Sequence, residues 1–130
     1  MFGHDVLKHI TTFTKTVPHN EIIRLYEKSS LLLMILAGLK DLEGYMPGKL
    51  FEYMATGLPV LGIGPEKGNA SDLLSKGNFG KMIAPQNTGD ISQFLLNTFE
   101  DWKSGNRLRS ERIEDYSRKG ITKKLVELLQ

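Results

Sequence analysis

The residues best suited to chemistry lie in one loop and the helix it opens. After the apolar run Leu31–Ala37 the chain reads GLKDLEGYMPGKLFEYMATG, which gathers Asp41, Glu43, Gly44, Pro47, Gly48, Lys49 and Glu52 within a dozen residues. Pro47-Gly48 predicts the start of a helix over Lys49–Thr56, and Gly57 predicts its end. Such a start presents N–H groups with no intrahelical partner and about half a unit of positive charge, which together attract an anion. Gly48 has no side chain to hold a phosphate away from the backbone. At about 100° per residue, Lys49 and Glu52 lie roughly 60° apart with Tyr53 between them. Leu50, Phe51, Met54 and Ala55 fill the opposite sector, predicted to face the core. Lys49 in the first turn would reach a phosphate, and Glu52, one turn deeper, would accept hydrogen bonds from two vicinal hydroxyls. Phosphate and diol so spaced describe the middle of a nucleoside diphosphate. The competing use of the same two residues is an i,i+3 surface ion pair.

Other reactive residues form weaker patterns. His4, His9 and His19 match no metal-ligand spacing and read as surface or capping residues, so no metal site is expected. Ser29, Ser30 and Ser71 lack the strand–turn–helix context of a nucleophilic serine. GIGPEKG (Gly62–Gly68) departs from the dinucleotide fingerprint at Pro65 and in its spacing, and reads as a βα turn, either near the phosphates or a plain structural turn. Asp72 would serve the dipole of the next helix.

The elements that position these residues alternate. Val6–Phe13, with β-branched Ile10, Thr11 and Thr12, reads as a strand ended by Pro18. His19–Lys28 reads as a helix capped by Asn20, and Leu31–Ala37 as a strand covered on both faces. Pro59–Ile63 is a further strand, Asn69 caps a helix that runs to Ser75 and closes at Gly77, and Gly80–Ala84 is a strand stopped by Pro85. Ile91–Trp102 carries Ile91, Phe94, Leu95, Thr98, Phe99 and Trp102 on one helical stripe, with Thr88 or Asp90 near its start. A helix around Leu108–Tyr116 and a last one over Ile121–Leu129 complete the chain. Strands separated by helical units predict βαβ crossovers. The expected fold is α/β, a three-layer Rossmann-like parallel sheet with helices on both faces. Ligands of such sheets bind beyond the carboxyl ends of the strands.

Composition agrees with that architecture and narrows the function classes. The 130 residues are 40% hydrophobic and 25% charged, sufficient for one domain core. The absence of cysteine excludes disulfide scaffolds and cysteine catalysis. A net charge of +2 and a pI of about 8.8 fall short of a nucleic-acid binder, and no aromatic residues interleave with the basic ones. MFGHDVLKHI lacks a signal-peptide pattern, so the expected location is cytoplasmic. Arg107, Arg109, Arg112, Arg118, Lys119, Lys123 and Lys124 form a solvated basic segment; its second use would be peripheral attachment to an anionic inner membrane face.

The stretch GYMPGKLFEYMATGLPVLGIGPEKGNASDLL (Gly44–Leu74) closely resembles the donor-binding segment of GT-B-fold glycosyltransferases of family 4. TTFTKTVPHNEIIRLYEKSSLLLMIL resembles the preceding units of the same domain, and GNFGKMIAPQNTGDISQFLLNTFEDW the turn and helix that follow. The resemblance covers about Thr12 to Trp102. It implies that Glu52 holds the ribose hydroxyls and that the backbone of Gly48, Lys49 and Leu50 takes the donor diphosphate, with the Lys49 side chain assisting. It places Glu43, Gly44 and Tyr45 at the donor sugar and Thr16, Val17 and Pro18 at the base. The family's two glutamates stand one residue closer together than Glu43 and Glu52 do here. The implied activity is hexosyl transfer from a UDP- or GDP-sugar to a hydroxyl acceptor, with retained anomeric configuration and no metal or other cofactor. Cell-surface polysaccharide or glycolipid synthesis is the implied setting.

Enzymes of that kind have a second, N-terminal acceptor domain. The sequence therefore reads as one partial donor domain over residues 1–130, whose partner domain is missing and which would transfer nothing alone. Two rivals stand beside it: a non-catalytic flavodoxin- or response-regulator-like module, and a sugar-nucleotide epimerase of the same fold. The first wants an acidic cluster with Ser/Thr and Lys at strand ends, and the second wants carboxylates and histidines in the cleft.

Overall fold

In the computed structural model the described residues are 3–37, 42–106 and 118–130. Asp41, the proposed helix around Leu108–Tyr116 and the basic residues Arg107, Arg109 and Arg112 lie outside them. The chain is α/β: α1 (Gly3–Ile10), α2 (His19–Glu27), β1 (Leu32–Ile35), α3 (Gly48–Thr56), β2 (Val60–Ile63), α4 (Asn69–Lys76), β3 (Gly80–Ile83), α5 (Thr88–Lys103) and α6 (Arg118–Leu129). The strands form an open sheet in the order β1-β2-β3, all parallel. Leu32, Leu33, Met34 and Ile35 stand opposite Val60, Leu61, Gly62 and Ile63, which in turn face Gly80, Lys81, Met82 and Ile83.

The main core cluster lies on one face of this sheet, while Leu61 and Ile83 are buried on the other. Leu32, Met34 and Leu36 of the first strand unit pack with Val60, Met82 and Phe79, and they are covered by Leu50, Tyr53 and Met54 of α3 and by Ala70 and Leu74 of α4. Tyr26 of α2 packs against the same cluster. Gly80 permits the tight β2–β3 approach, since a methyl group there would run into the Val60 carbonyl.

Several expectations need correction. The segment predicted as a strand over Val6–Phe13 is helical to Ile10 and irregular beyond it. Val6, Leu7 and Ile10 recur at helical spacing, and a helix satisfies its backbone internally, whereas a strand there would need a neighbour. Asn20 does not cap α2; Pro18 holds that position, and its carbonyl accepts from the Glu21 and Ile22 N–H groups. Asn69 does not cap α4 either, because Gly68 is the N-cap and Asn69 begins the helix. The strand predicted as covered on both faces is covered on one: Leu32 and Met34 are buried, while Leu33 and Ile35 stay 48% and 65% exposed. The apolar stripe of α5 is only partly buried, with Leu95, Phe99 and Trp102 exposed. Leu125, Leu128 and Leu129 of α6 are exposed as well.

The loop after β2 is fixed by Glu66. Its carboxylate accepts from the Ala84 N–H at 3.2 Å and from Asn87 Nδ2 at 3.0 Å, while its backbone carbonyl accepts from the Ser71 hydroxyl at 2.8 Å. The turn Gly62–Gly68 is thus tied to β3 and to α4. These bonds, the Ala84 amide first, hold the Glu66 carboxyl below its ordinary value of 4.5. A carboxyl depressed by folding adds stability in full above 4.5 and loses it as the pH falls through the lowered folded value. Glu66→Gln is therefore expected to be less stable than the native chain at neutral pH, with the gap closing on acidification below about pH 4.5. Urea midpoints measured from neutral to acid pH check this, and a gap that persists unchanged at acid pH refutes it.

Candidate functional site

Gly48, Lys49 and Glu52 reach the carboxyl edge of the sheet because α3 follows β1 and runs back along the strands. Pro47 is the N-cap, extended at φ −66° and ψ 131°, and the missing N–H of a proline costs nothing where no acceptor is due. Gly57 ends the helix with φ 71°, the left-handed conformation that glycine adopts without strain. Between these stops Leu50 and Met54 are fully buried and Tyr53 nearly so. The inward stripe is thus Leu50–Tyr53–Met54 rather than the predicted Leu50–Phe51–Met54–Ala55, with Phe51 and Ala55 exposed. The reason lies in α2: the Tyr53 ring meets Tyr26 edge to face, at 5.7 Å and 81°, and its hydroxyl donates to the Leu33 carbonyl at 3.4 Å.

The tip of α3 is open among the described residues. The Leu50 N–H donates to the Pro47 carbonyl at 3.0 Å, which leaves the Gly48 and Lys49 amides as the free donors of the predicted diphosphate trio. A methyl group placed on Gly48 would meet no described atom within 4 Å. Lys49 is exposed, and its ammonium lies 5.8 Å from the centre of the Tyr53 ring, a cation–π contact that draws it along the helix. Lys49 and Glu52 form no ion pair among the described residues. Glu52 instead faces His19, with Oε1 3.5 Å from Nδ1 and the glutamate side chain 38% exposed.

That contact joins two parts of the predicted site. Thr16, Val17 and Pro18 run directly into His19, so the segment expected at the base adjoins the carboxylate expected at the ribose. Between α2 and α3 lies a groove of about 420 Å³ lined by His19, Ile23, Tyr26 and Glu27 on one side and by Glu52 and Ala55 on the other. Glu43, Gly44 and Tyr45 form an exposed turn closed by a Tyr45 N–H to Leu42 carbonyl bond of 3.0 Å. This turn is pinned to α4: the Glu43 carbonyl accepts from the Asn69 N–H at 2.8 Å, and the Gly44 carbonyl from Asn69 Nδ2 at 3.4 Å. The first amide of α4 is therefore taken by the chain itself.

His19 and Tyr26 line this groove, although the sequence reading does not single them out. Their signal is the i, i+4, i+7 stripe His19–Ile23–Tyr26 directly after the proposed base segment, which puts a polar residue at each end of one helical face. No group of three or more His, Cys, Asp or Glu residues is placed to hold a metal ion among the described residues. No described helix is long and apolar enough to cross a membrane. No family model matches the chain, and no curated protein or solved structure matches it either.

The two glycines at the helix tips respond oppositely to a methyl group. Gly48→Ala meets open space and is expected to be at least as stable as the native chain. Gly68 has φ 117°, and a methyl group there would lie 2.8 Å from the Glu43 carbonyl oxygen, so Gly68→Ala is expected to lose about 1–3 kcal/mol. Urea denaturation of the two variants checks the contrast; equal midpoints would remove it.

Proposed function

We propose that the chain binds the nucleoside diphosphate part of a sugar donor and is the donor-binding portion of a GT-B-fold glycosyltransferase of family 4. The observation that carries the proposal is the arrangement on α3. Free N–H groups of Gly48 and Lys49 stand at the helix tip, and a half-open carboxylate, Glu52, sits one turn deeper beside the segment Thr16–Pro18. The resemblance of PGKLFEYMATGLPVL to the family's donor segment supports the same assignment. In this reading the three parallel strands belong to a three-layer Rossmann-like sheet with helices on both faces.

Each residue then has a role set by its chemistry. The Gly48 and Lys49 amides and the positive end of α3 bind the diphosphate, Glu52 accepts from the ribose hydroxyls, and Thr16–Pro18 borders the base. Glu43, Gly44 and Tyr45 stand on the sugar side. When the anomeric carbon–oxygen bond breaks and the acceptor oxygen takes its place, negative charge gathers on the diphosphate. Fixed amides oriented toward that charge favour its departure. The donor would be a UDP- or GDP-hexose, and the acceptor would be bound by a second α/β domain. The product class would be a cell-surface polysaccharide or glycolipid, made in the cytoplasm at the inner membrane face.

Calorimetric titration with UDP, GDP and ADP tests the proposal. One nucleotide is expected to bind with a Kd of roughly 1 mM or tighter, or about −4 kcal/mol. Glu52→Ala is expected to weaken it about tenfold or more, the effect of losing a charge-assisted hydrogen bond. Gly48→Ala, whose added methyl group meets no described atom, is expected to weaken the diphosphate but not the bare nucleoside. Failure of all three nucleotides to bind overturns the proposal.

A further inference from the structure

The Tyr26 hydroxyl is buried and has no hydrogen-bond partner among the described residues. Buried hydroxyls are almost always bonded, so this exception calls for a reason. Its ring is fixed by the edge-to-face contact with Tyr53, which leaves the oxygen little freedom to seek an acceptor elsewhere. The same groove holds Glu52, whose contact to His19 at 3.5 Å is an ion pair at most and not a short hydrogen bond. An unpaired donor and an under-bonded acceptor thus share one pocket.

We infer that Tyr26 is a positioning residue for Glu52: its hydroxyl donates to the carboxylate when a ribonucleoside occupies the groove and draws it from His19 toward the sugar hydroxyls. This rests on the proposed nucleotide site and adds to it a basis for selecting ribose over deoxyribose. Burial first, and the Glu52 charge second, push the Tyr26 hydroxyl above its ordinary value of 10.0. The group therefore stays protonated at neutral pH and keeps a proton to donate to a carboxylate. Tyr53 cannot replace it, because its hydroxyl is committed to the Leu33 carbonyl. With one lone pair held by Tyr26, the remaining carboxylate positions face the open side of the groove, where a vicinal diol could engage both oxygens.

The test compares UDP, GDP and ADP with their 2′-deoxy counterparts on the native chain, on Tyr26→Phe and on Glu52→Gln, with thermal midpoints of all three proteins. The native chain is expected to prefer the ribonucleotide by roughly tenfold or more. Tyr26→Phe is expected to reduce that preference to about twofold while binding the deoxynucleotide as the native chain does. Its unliganded midpoint is expected to equal or exceed the native one, because the hydroxyl it removes has no partner among the described residues. An unchanged preference in Tyr26→Phe overturns the role of Tyr26 and leaves the nucleotide site standing. A clear drop in the unliganded midpoint also overturns it, since the hydroxyl would then be bonded without ligand. Absence of nucleotide binding by the native chain, or a preference that survives Glu52→Gln, overturns the site itself and the inference with it.

Discussion

Burial of Leu50 and Met54 fixes where everything at the site can be. Each is fully buried among Leu32, Met34, Leu36 and Val60, and such burial contributes about 1.5–3 kcal/mol per side chain. A surface ion pair along the helix contributes only about 0.2–0.5 kcal/mol. Packing therefore sets the roll of α3, and the polar residues take the positions it leaves. With Leu50 and Tyr53 inward, Glu52 is carried to the flank that borders α2, where His19 meets it. A Lys49–Glu52 pair, reasonable from spacing alone, loses to this geometry because the Tyr53 ring attracts the lysine and α2 supplies another partner for the glutamate.

Two helices begin at the carboxyl edge on the covered face, and the chain treats them differently. At α4 the loop turns back so that the Glu43 carbonyl takes the Asn69 amide, a closure that requires the positive φ of Gly68. At α3 no such carbonyl returns among the described residues. Nearby, Glu66 takes up the Ala84 amide and the Asn87 side chain, so the loop before α4 and the loop after β3 hold each other through their own polar groups. The first amide is taken up internally at one tip and left outward at its neighbour. That contrast, more than the helix dipole both tips share, singles out Gly48 and Lys49.

The order of elements from α2 to α5 was legible because its signals are local. Pro47, Gly57, Gly77 and Pro85 mark boundaries through backbone geometry, and the run at β1 is too short and too apolar to be a surface helix. What was misread depended on neighbours. Val6–Phe13 has the β-branched residues of a strand, yet a strand exists only where another can pair with it. Asn20 and Asn69 are good capping types, but Pro18 and Gly68 precede them and fix the entry of the chain one residue or two earlier. Phe51 and Tyr53 are both aromatic and two residues apart; only the Tyr26 ring and the Leu33 carbonyl decide which points inward. Glu52 could be placed on the outer side of α3 from periodicity, whereas its contact with His19 joins residues 33 positions apart and leaves no local trace.

The sheet is covered unevenly, and this bears on how firmly the site is held. On the second face the row Ile35–Ile63–Ile83 passes from exposed at β1 to buried at β3, and Leu33–Leu61 shows the same gradient. Parallel strands are ordinarily covered on both sides, so the open part at β1 is a departure. Yet none of the residues that seat α3 lies there: Leu32, Met34 and Leu36 alternate with Leu33 and Ile35 and point the other way. Side chains on opposite faces of a strand are coupled only through its backbone. The placement of Gly48 and Glu52 is therefore set by the closed face, and whatever contacts the open one can change the stability of β1 without re-aiming the tip of α3.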